Sequence, residues 1–209
     1  MGLADDAPSP IYISIVTEAS NISPSQAAIA RVSFVAGSQG EWGIQAMNPI
    51  RGEALALAPT IARVEQAAFV VPGEVTWVLQ GVRSNERYLE RSEKTRLSAV
   101  QEGLGRPASR RAALIAIRKS DTWWDLPQDD RRAVFEGRSR HIEIGARYLP
   151  AIARRLYHCR DLGQPFDFLT WFEFSAADEG AFDDLLGHLR ATEEWQYVAR
   201  EVEIRLRRT

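Results

Sequence analysis

Apolar and charged residues alternate most regularly near the end of the chain. In Val198–Arg208 (VAREVEIRLRR), Val202, Ile204 and Leu206 interleave with glutamates and arginines, which predicts a half-exposed strand with one face in a core. Ala112–Ile117 (AALIAI) is apolar at every position and predicts a buried strand. Phe166–Phe174 predicts another, with Phe166, Phe168, Thr170, Phe172 and Phe174 on one face. Between them, Trp123–Tyr148 reads as one long or two consecutive helices, Pro150–Cys159 as a strand and Asp161–Pro165 as a turn. Ser175, followed three residues on by Asp178, gives a capping-box-like start to a helix running to about Arg190. The second half therefore reads β-α-β-β-α-β, the ferredoxin-like split pattern, in a chain of the α+β class.

The first half gives weaker signals. Trp42–Met47 and Val75–Val82 are short apolar runs, the second alternating well enough for a strand. Ser84–Glu102 reads as a charged surface helix with Ser84 as its N-cap, ended by Gly103–Pro107. This half looks like a reduced version of the same unit. Residues 1–29, rich in Ala, Ser and Pro, predict an arm beside a domain spanning 30–209.

Composition removes several function classes. The 209 residues are 45% hydrophobic and 26% charged, ordinary for a globular protein. A net charge of −2 gives no electrostatic reason for a nucleic acid or an anionic membrane as partner. The single cysteine, Cys159, excludes an internal disulfide and a Cys-rich zinc or iron–sulfur site. The N-terminal MGLADDAPSP lacks the basic region and apolar core of a signal peptide, and Ile11–Val16 is too short to span a bilayer. The expectation is a soluble, cytoplasmic protein.

Three histidines are present. His141 has Gly137 at i−4 and Gly145 at i+4, so its predicted helix face is bare on both sides, where a flat macrocycle can lie. Arg154 shares a predicted strand face with Ile152 and Leu156, so its guanidinium points where apolar residues point, while Arg155 faces the other way. Together with the aromatic face of Phe166–Phe174, these residues predict a buried, anion-reactive haem site. His158 is a rival ligand, and His188, in a charged amphipathic helix, reads as solvated. A ligating imidazole needs an acceptor on its far nitrogen to fix its tautomer and raise its donation to iron. Glu193 and Glu194 are both candidates, with Lys119 to balance a buried carboxylate. Trp123, Trp124 and Trp171, taken singly, read as core. No GxGxxG, P-loop, HExxH, GxSxG or CxxC motif is present.

Four segments carry a family resemblance: GVRSNERY (Gly81–Tyr88), GRPASRRAALIAIRKSDTWW (Gly105–Trp124), Arg138–Phe174 and ATEEWQYVAREVEIRLRR (Ala191–Arg208). From Trp42 to Arg208, about four-fifths of its length, the chain resembles the chlorite dismutase family in its short, dimeric lineage. The resemblance implies a dimeric α/β barrel with a complete C-terminal ferredoxin-like unit and a truncated N-terminal one. It implies haem b with His141 as axial iron ligand, Glu194 accepting from the second ring nitrogen and Lys119 pairing with Glu194. Trp123 and Trp124 match tryptophans around the haem, and Leu149 and Phe172 line its distal pocket. Arg154 matches a mobile distal arginine, and Gln101 a glutamine that holds it. The implied reaction is chlorite to chloride and dioxygen, with O–O bond formation through a ferryl/hypochlorite pair. Coproheme decarboxylase is the alternative within the superfamily, but its chemistry uses a tyrosine before the proximal histidine, and no tyrosine lies between Gln101 and His141. A haem-binding peroxidase or carrier is the other, and a carrier has no need of Arg154.

Overall fold

The computed structural model describes residues 31–65, 73–83 and 103–209. The expected arm at 1–29, the helix expected at Ser84–Glu102 and Gln101 within it lie outside the described residues. The strands are β1 (Arg31–Gly37), β2 (Trp42–Arg51), β3 (Thr60–Val64), β4 (Val75–Arg83), β5 (Arg111–Lys119), β6 (Ala153–His158), β7 (Phe168–Phe174) and β8 (Val198–Arg208). They close into an antiparallel barrel in the order β1-β3-β2-β8-β5-β7-β6-β4, with β4 returning to β1. The first four strands follow the order β4-β1-β3-β2 and the last four β8-β5-β7-β6, so one relative order recurs in both halves.

The halves differ in their connections. Only residues 38–41 separate β1 from β2. Between β5 and β6 the chain inserts α1 (Asp121–Asp125), α2 (Gln128–Arg132), a π-turn (Ala133–Arg138) and α3 (His141–Ala146), and α4 (Glu179–Arg190) joins β7 to β8. The barrel interior holds Phe34, Trp42, Leu114, Tyr157, Leu169, Trp171, Val202 and Ile204. Phe34 stacks on Trp171 and Trp42 meets it edge-on, each at 5.5 Å between centroids. Cys159 is buried here, its thiol donating to the Phe166 carbonyl at 3.0 Å, and burial pushes its pKa up to about 12.

A second core lies outside the barrel wall. Phe182, Leu185, Leu186 and Leu189, at i, i+3, i+4 and i+7 of α4, cover Ala113, Ile115, Phe172 and Phe174. This cover explains why β5 is apolar throughout, since its alternate residues enter two different cores.

The structure corrects several expectations. β8 is covered on both sides, with Glu201 and Glu203 only 1% and 4% exposed, because Arg190 of α4 neutralises both. The strand expected at Pro150–Cys159 is shorter, since the chain turns until Ile152 and β6 ends at His158. Leu156, expected beside Arg154 on a buried face, is 36% exposed. Phe166 precedes β7 and enters the barrel core, leaving Phe168, Thr170, Phe172 and Phe174 on the outer face. The stretch expected as one or two helices is four pieces, interrupted at Pro127 and at Arg140. No helix among the described residues is long and apolar enough to cross a membrane.

Candidate active site

His141 opens α3, and the chain reaches it through a break. Arg140 takes a left-handed conformation (φ 53°), which ends the π-turn and starts a new helix one residue later. Glu136 caps that start, its carboxylate accepting from the Ile142 N–H at 2.8 Å. Gly137 therefore does not share a helix face with His141, contrary to the sequence reading, although open space surrounds it. The imidazole is flanked by Phe135 at 4.5 Å and Trp195 at 6.4 Å, both rings stacked on it.

A buried polar chain meets the far side of this ring. The last residue of β5, Lys119, donates from Nζ to Glu194 Oε1 at 2.8 Å and to the Glu194 carbonyl at 3.2 Å. The other carboxylate oxygen, Oε2, lies 2.6 Å from His141 Nδ1. Lys119 and Glu194 are each 5% exposed. Glu194 sits in a 3₁₀ turn (Glu193–Tyr197) whose position is set by its N–H donating to Ser139 Oγ at 2.9 Å. Burial pushes the Glu194 carboxyl up, but the charge and hydrogen bond of His141, then those of Lys119, outweigh it and hold the pKa at about 2. The carboxylate is thus ionised, accepts from Nδ1 and leaves Nε2 as the imidazole's donor atom. Glu193, the other candidate acceptor, is tied at the surface to Arg138 Nε at 2.9 and 3.0 Å.

Arg154 reaches the same helix from the sheet. It pairs in register with Phe172 of β7, so both side chains leave the outer face. A Cβ on Gly145 would stand 1.9 Å from Arg154 Nη1, so residue 145 must be glycine for the guanidinium to lie there. The face expected to be bare beside His141 is therefore occupied on this side, by Arg154. Burial lowers the Arg154 pKa from its ordinary value, but arginine keeps its charge at every physiological pH. Arg155 faces away and lies 3.7 Å from the half-exposed Glu65.

The remaining expected residues divide. Trp123 is buried beside the polar chain, its ring 4.6 Å from Lys119 Nζ. Trp124 faces elsewhere, against Phe168 and under the Arg160 guanidinium, with its indole nitrogen 3.2 Å from Asp167 Oδ2. Phe172 packs on Phe182 at 5.1 Å. Leu149 lies in the turn after α3, partly exposed. The rival ligand His158 meets Phe168 edge-on at 5.2 Å, on β6. The sequence reading missed Asp167, 5% exposed, whose Oδ2 also accepts the Lys119 N–H at 2.7 Å and so fixes the end of β5. It also missed Trp195 and Ser139. Nothing in their local sequence marks them.

The donor set suits a haem. Among the described residues no three His, Cys, Asp or Glu side chains converge to hold a metal ion alone. His141, with Nδ1 hydrogen-bonded to Glu194, presents one free ring nitrogen of the kind a haem iron takes as its protein ligand.

The chain and its fold are similar to those of known chlorite dismutases. A dimeric chlorite dismutase of known structure from Nitrobacter winogradskyi is 52% identical, covering 85% of this chain and 99% of its own, with a TM-score of 0.79. The chlorite dismutase from Candidatus Nitrospira defluvii, solved in complex with imidazole, is 20% identical over 85% of this chain and 90% of its own; its TM-score of 0.62 shows a shared fold. A curated chlorite dismutase from Ideonella dechloratans is 27% identical over 150 residues, 71% of this chain and 50% of its own, so this chain spans about half the length of that relative. The chlorite dismutase family profile matches residues 29–208, taking in every strand from β1 to β8. The chain belongs to the chlorite dismutase family.

Proposed function

We propose that this protein decomposes chlorite to chloride and dioxygen (ClO₂⁻ → Cl⁻ + O₂) with haem b bound through His141 Nε2. The observation that supports it best is the buried Lys119–Glu194–His141 chain, at 2.8 and 2.6 Å, ending beneath a helix face that also receives Arg154. When bound, haem supplies the iron centre at which a Cl–O bond breaks and the O–O bond forms.

The chain's own residues have separate tasks. Glu194 fixes the His141 tautomer, and its negative charge makes the imidazole a stronger donor, favouring ferric iron. Lys119 neutralises Glu194, so that a carboxylate can stay ionised in a dry site. Arg154 attracts the chlorite anion and keeps the transient chlorine oxide close. By family resemblance Phe172 and Leu149 line the pocket around it, and in such a water-poor setting one fixed cation counts for far more than in water. Gln101, by family resemblance, holds Arg154, and Trp123 and Trp124 shape the haem surroundings. We read the barrel as two ferredoxin-like units, the N-terminal one truncated, since both halves repeat one strand order and residues 38–41 leave no room for a helix. Like its 52%-identical relative, the protein is proposed to work as a dimer.

The test is oxygen evolution from haem-loaded protein after chlorite is added. Equimolar oxygen is expected, and Arg154→Ala should keep its haem but lose on the order of 10²-fold in rate. Haem-loaded protein that evolves no oxygen refutes the reading. Undiminished oxygen yield in Arg154→Ala removes the arginine from the mechanism.

A further inference from the structure

Behind the His141–Glu194 pair lies a second set of buried charges that the proposed reaction does not use. Glu201 and Glu203 project from β8 beneath α4. Arg190 bridges them, with Nε and Nη2 at 2.9 and 2.5 Å from Glu201 Oε1 and Nη2 at 2.6 Å from Glu203 Oε2. Arg205 extends the set from Glu203 to Asp183 of α4. To fasten a helix to a strand, these contacts suffice.

Glu201 does more. Its second oxygen, Oε2, accepts from Trp195 Nε1 at 2.8 Å. Trp195 directly follows Glu194 in the same 3₁₀ turn and is 7% exposed. Its ring lies nearly parallel to the His141 imidazole, at 18°, and Lys119 Nζ is 5.6 Å from its centroid. Arg51 Nη1 donates to the Trp195 carbonyl at 3.4 Å and to the Val198 carbonyl at 2.5 Å. Ser139 and Lys119 hold Glu194 from one side of the turn, while Glu201 and Arg51 hold Trp195 on the other. A buried indole N–H without its acceptor costs free energy, so loss of Glu201 would drive the ring to shift and carry the turn with it. A charge-assisted bond as short as that between His141 and Glu194 weakens steeply with such a shift.

We propose that Glu201 is a positioning residue for the imidazole: by holding Trp195 Nε1 it fixes the turn that keeps Glu194 Oε2 against His141 Nδ1, and Arg190 keeps Glu201 aimed. The inference deepens the haem reading and rests on it in only one of its two readouts.

Both readouts use the full chain. In haem-free protein, the proton shared by His141 Nδ1 and Glu194 is followed by NMR, where a short bond places it far downfield. In haem-loaded protein, the iron reduction potential is measured. Trp195→Phe keeps an aromatic ring and deletes the donor, and Glu201→Gln keeps an acceptor and deletes the charge. Each should move the proton upfield and raise the potential, in the direction of Glu194→Gln but by a smaller amount. The double variant should shift the proton no further than Trp195→Phe alone, since the effect passes through the indole. Glu203→Gln, in the same ion network but off Trp195, should lower the melting temperature and leave both readouts unchanged. If Trp195→Phe and Glu201→Gln lower the melting temperature while the proton stays at its wild-type position, Glu201 merely ties α4 to β8 and the proposal falls. If the proton responds as expected but the protein takes up no haem, the positioning role stands and the haem reading fails.

Discussion

The sheet of β8, β5, β7 and β6 has two buried faces built from alternate residues of the same strands, and they carry different chemistry. The inner face is apolar almost to its rim, where Glu173 ends it with both oxygens satisfied, by Trp171 Nε1 at 2.8 Å and the Gly105 N–H at 2.6 Å. Beneath α4 the outer face is apolar along β5 and β7 and ionic along β8, where Arg190 bridges Glu201 and Glu203. Toward the end of β5 it becomes ionic, with Lys119, Glu194 and Glu201 all buried and all partnered. A period of two lets one strand serve both tasks, because a residue exchanged on one face leaves the other untouched. The inner face carries packing alone, while the outer adds to its packing the residues proposed to act on chlorite.

The largest effect expected from that division is on stability. Trp171→Ala removes a fully buried ring stacked on Phe34 and should cost about 3–5 kcal/mol in urea unfolding. Protein that still folds should keep its haem spectrum; loss of haem at intact fold would break the division.

Glu194→Gln tests the outer face. Losing charge-assisted bonds to His141 and Lys119 should cost about 2 kcal/mol near neutral pH. The sign with pH is fixed by the depressed carboxyl, at about 2 against 4.5 for the free group. Its contribution is fully present above pH 4.5 and is lost as pH falls through 2. The variant's stability should therefore be flatter than wild type over that window, and equal slopes would contradict the ionised pair. Smallest of all is Arg155→Ala. Its 3.7 Å contact with half-exposed Glu65 should be worth under about 1 kcal/mol, with oxygen evolution close to wild type. A loss matching that of Arg154→Ala would show that the strand, not the guanidinium, matters.

Much of this division was legible in the sequence, and the misses have physical causes. The apolar run of β5 and the Phe182–Leu189 spacing of α4 announce buried elements directly. Side-chain chemistry and strand parity point to His141 and Arg154, whereas the choice of Lys119, and of Glu194 over Glu193, rests on family resemblance. What periodicity cannot show is a charge that is buried. Glu201 and Glu203 alternate with apolar residues as solvent-facing side chains do, and only Arg190, from another element, reveals that they are covered. Likewise the break at Arg140 is a single left-handed residue, invisible to a pattern read over many positions. β3 is five residues long, too short to register.

The central claim is that His141 holds the haem, and haem titration of His141→Ala beside His158→Ala tests it most directly. The account predicts that His141→Ala loses stable binding and the ferric Soret band, while His158→Ala, which meets Phe168 on β6, binds one haem per chain. A normal spectrum in His141→Ala together with its loss in His158→Ala would contradict it.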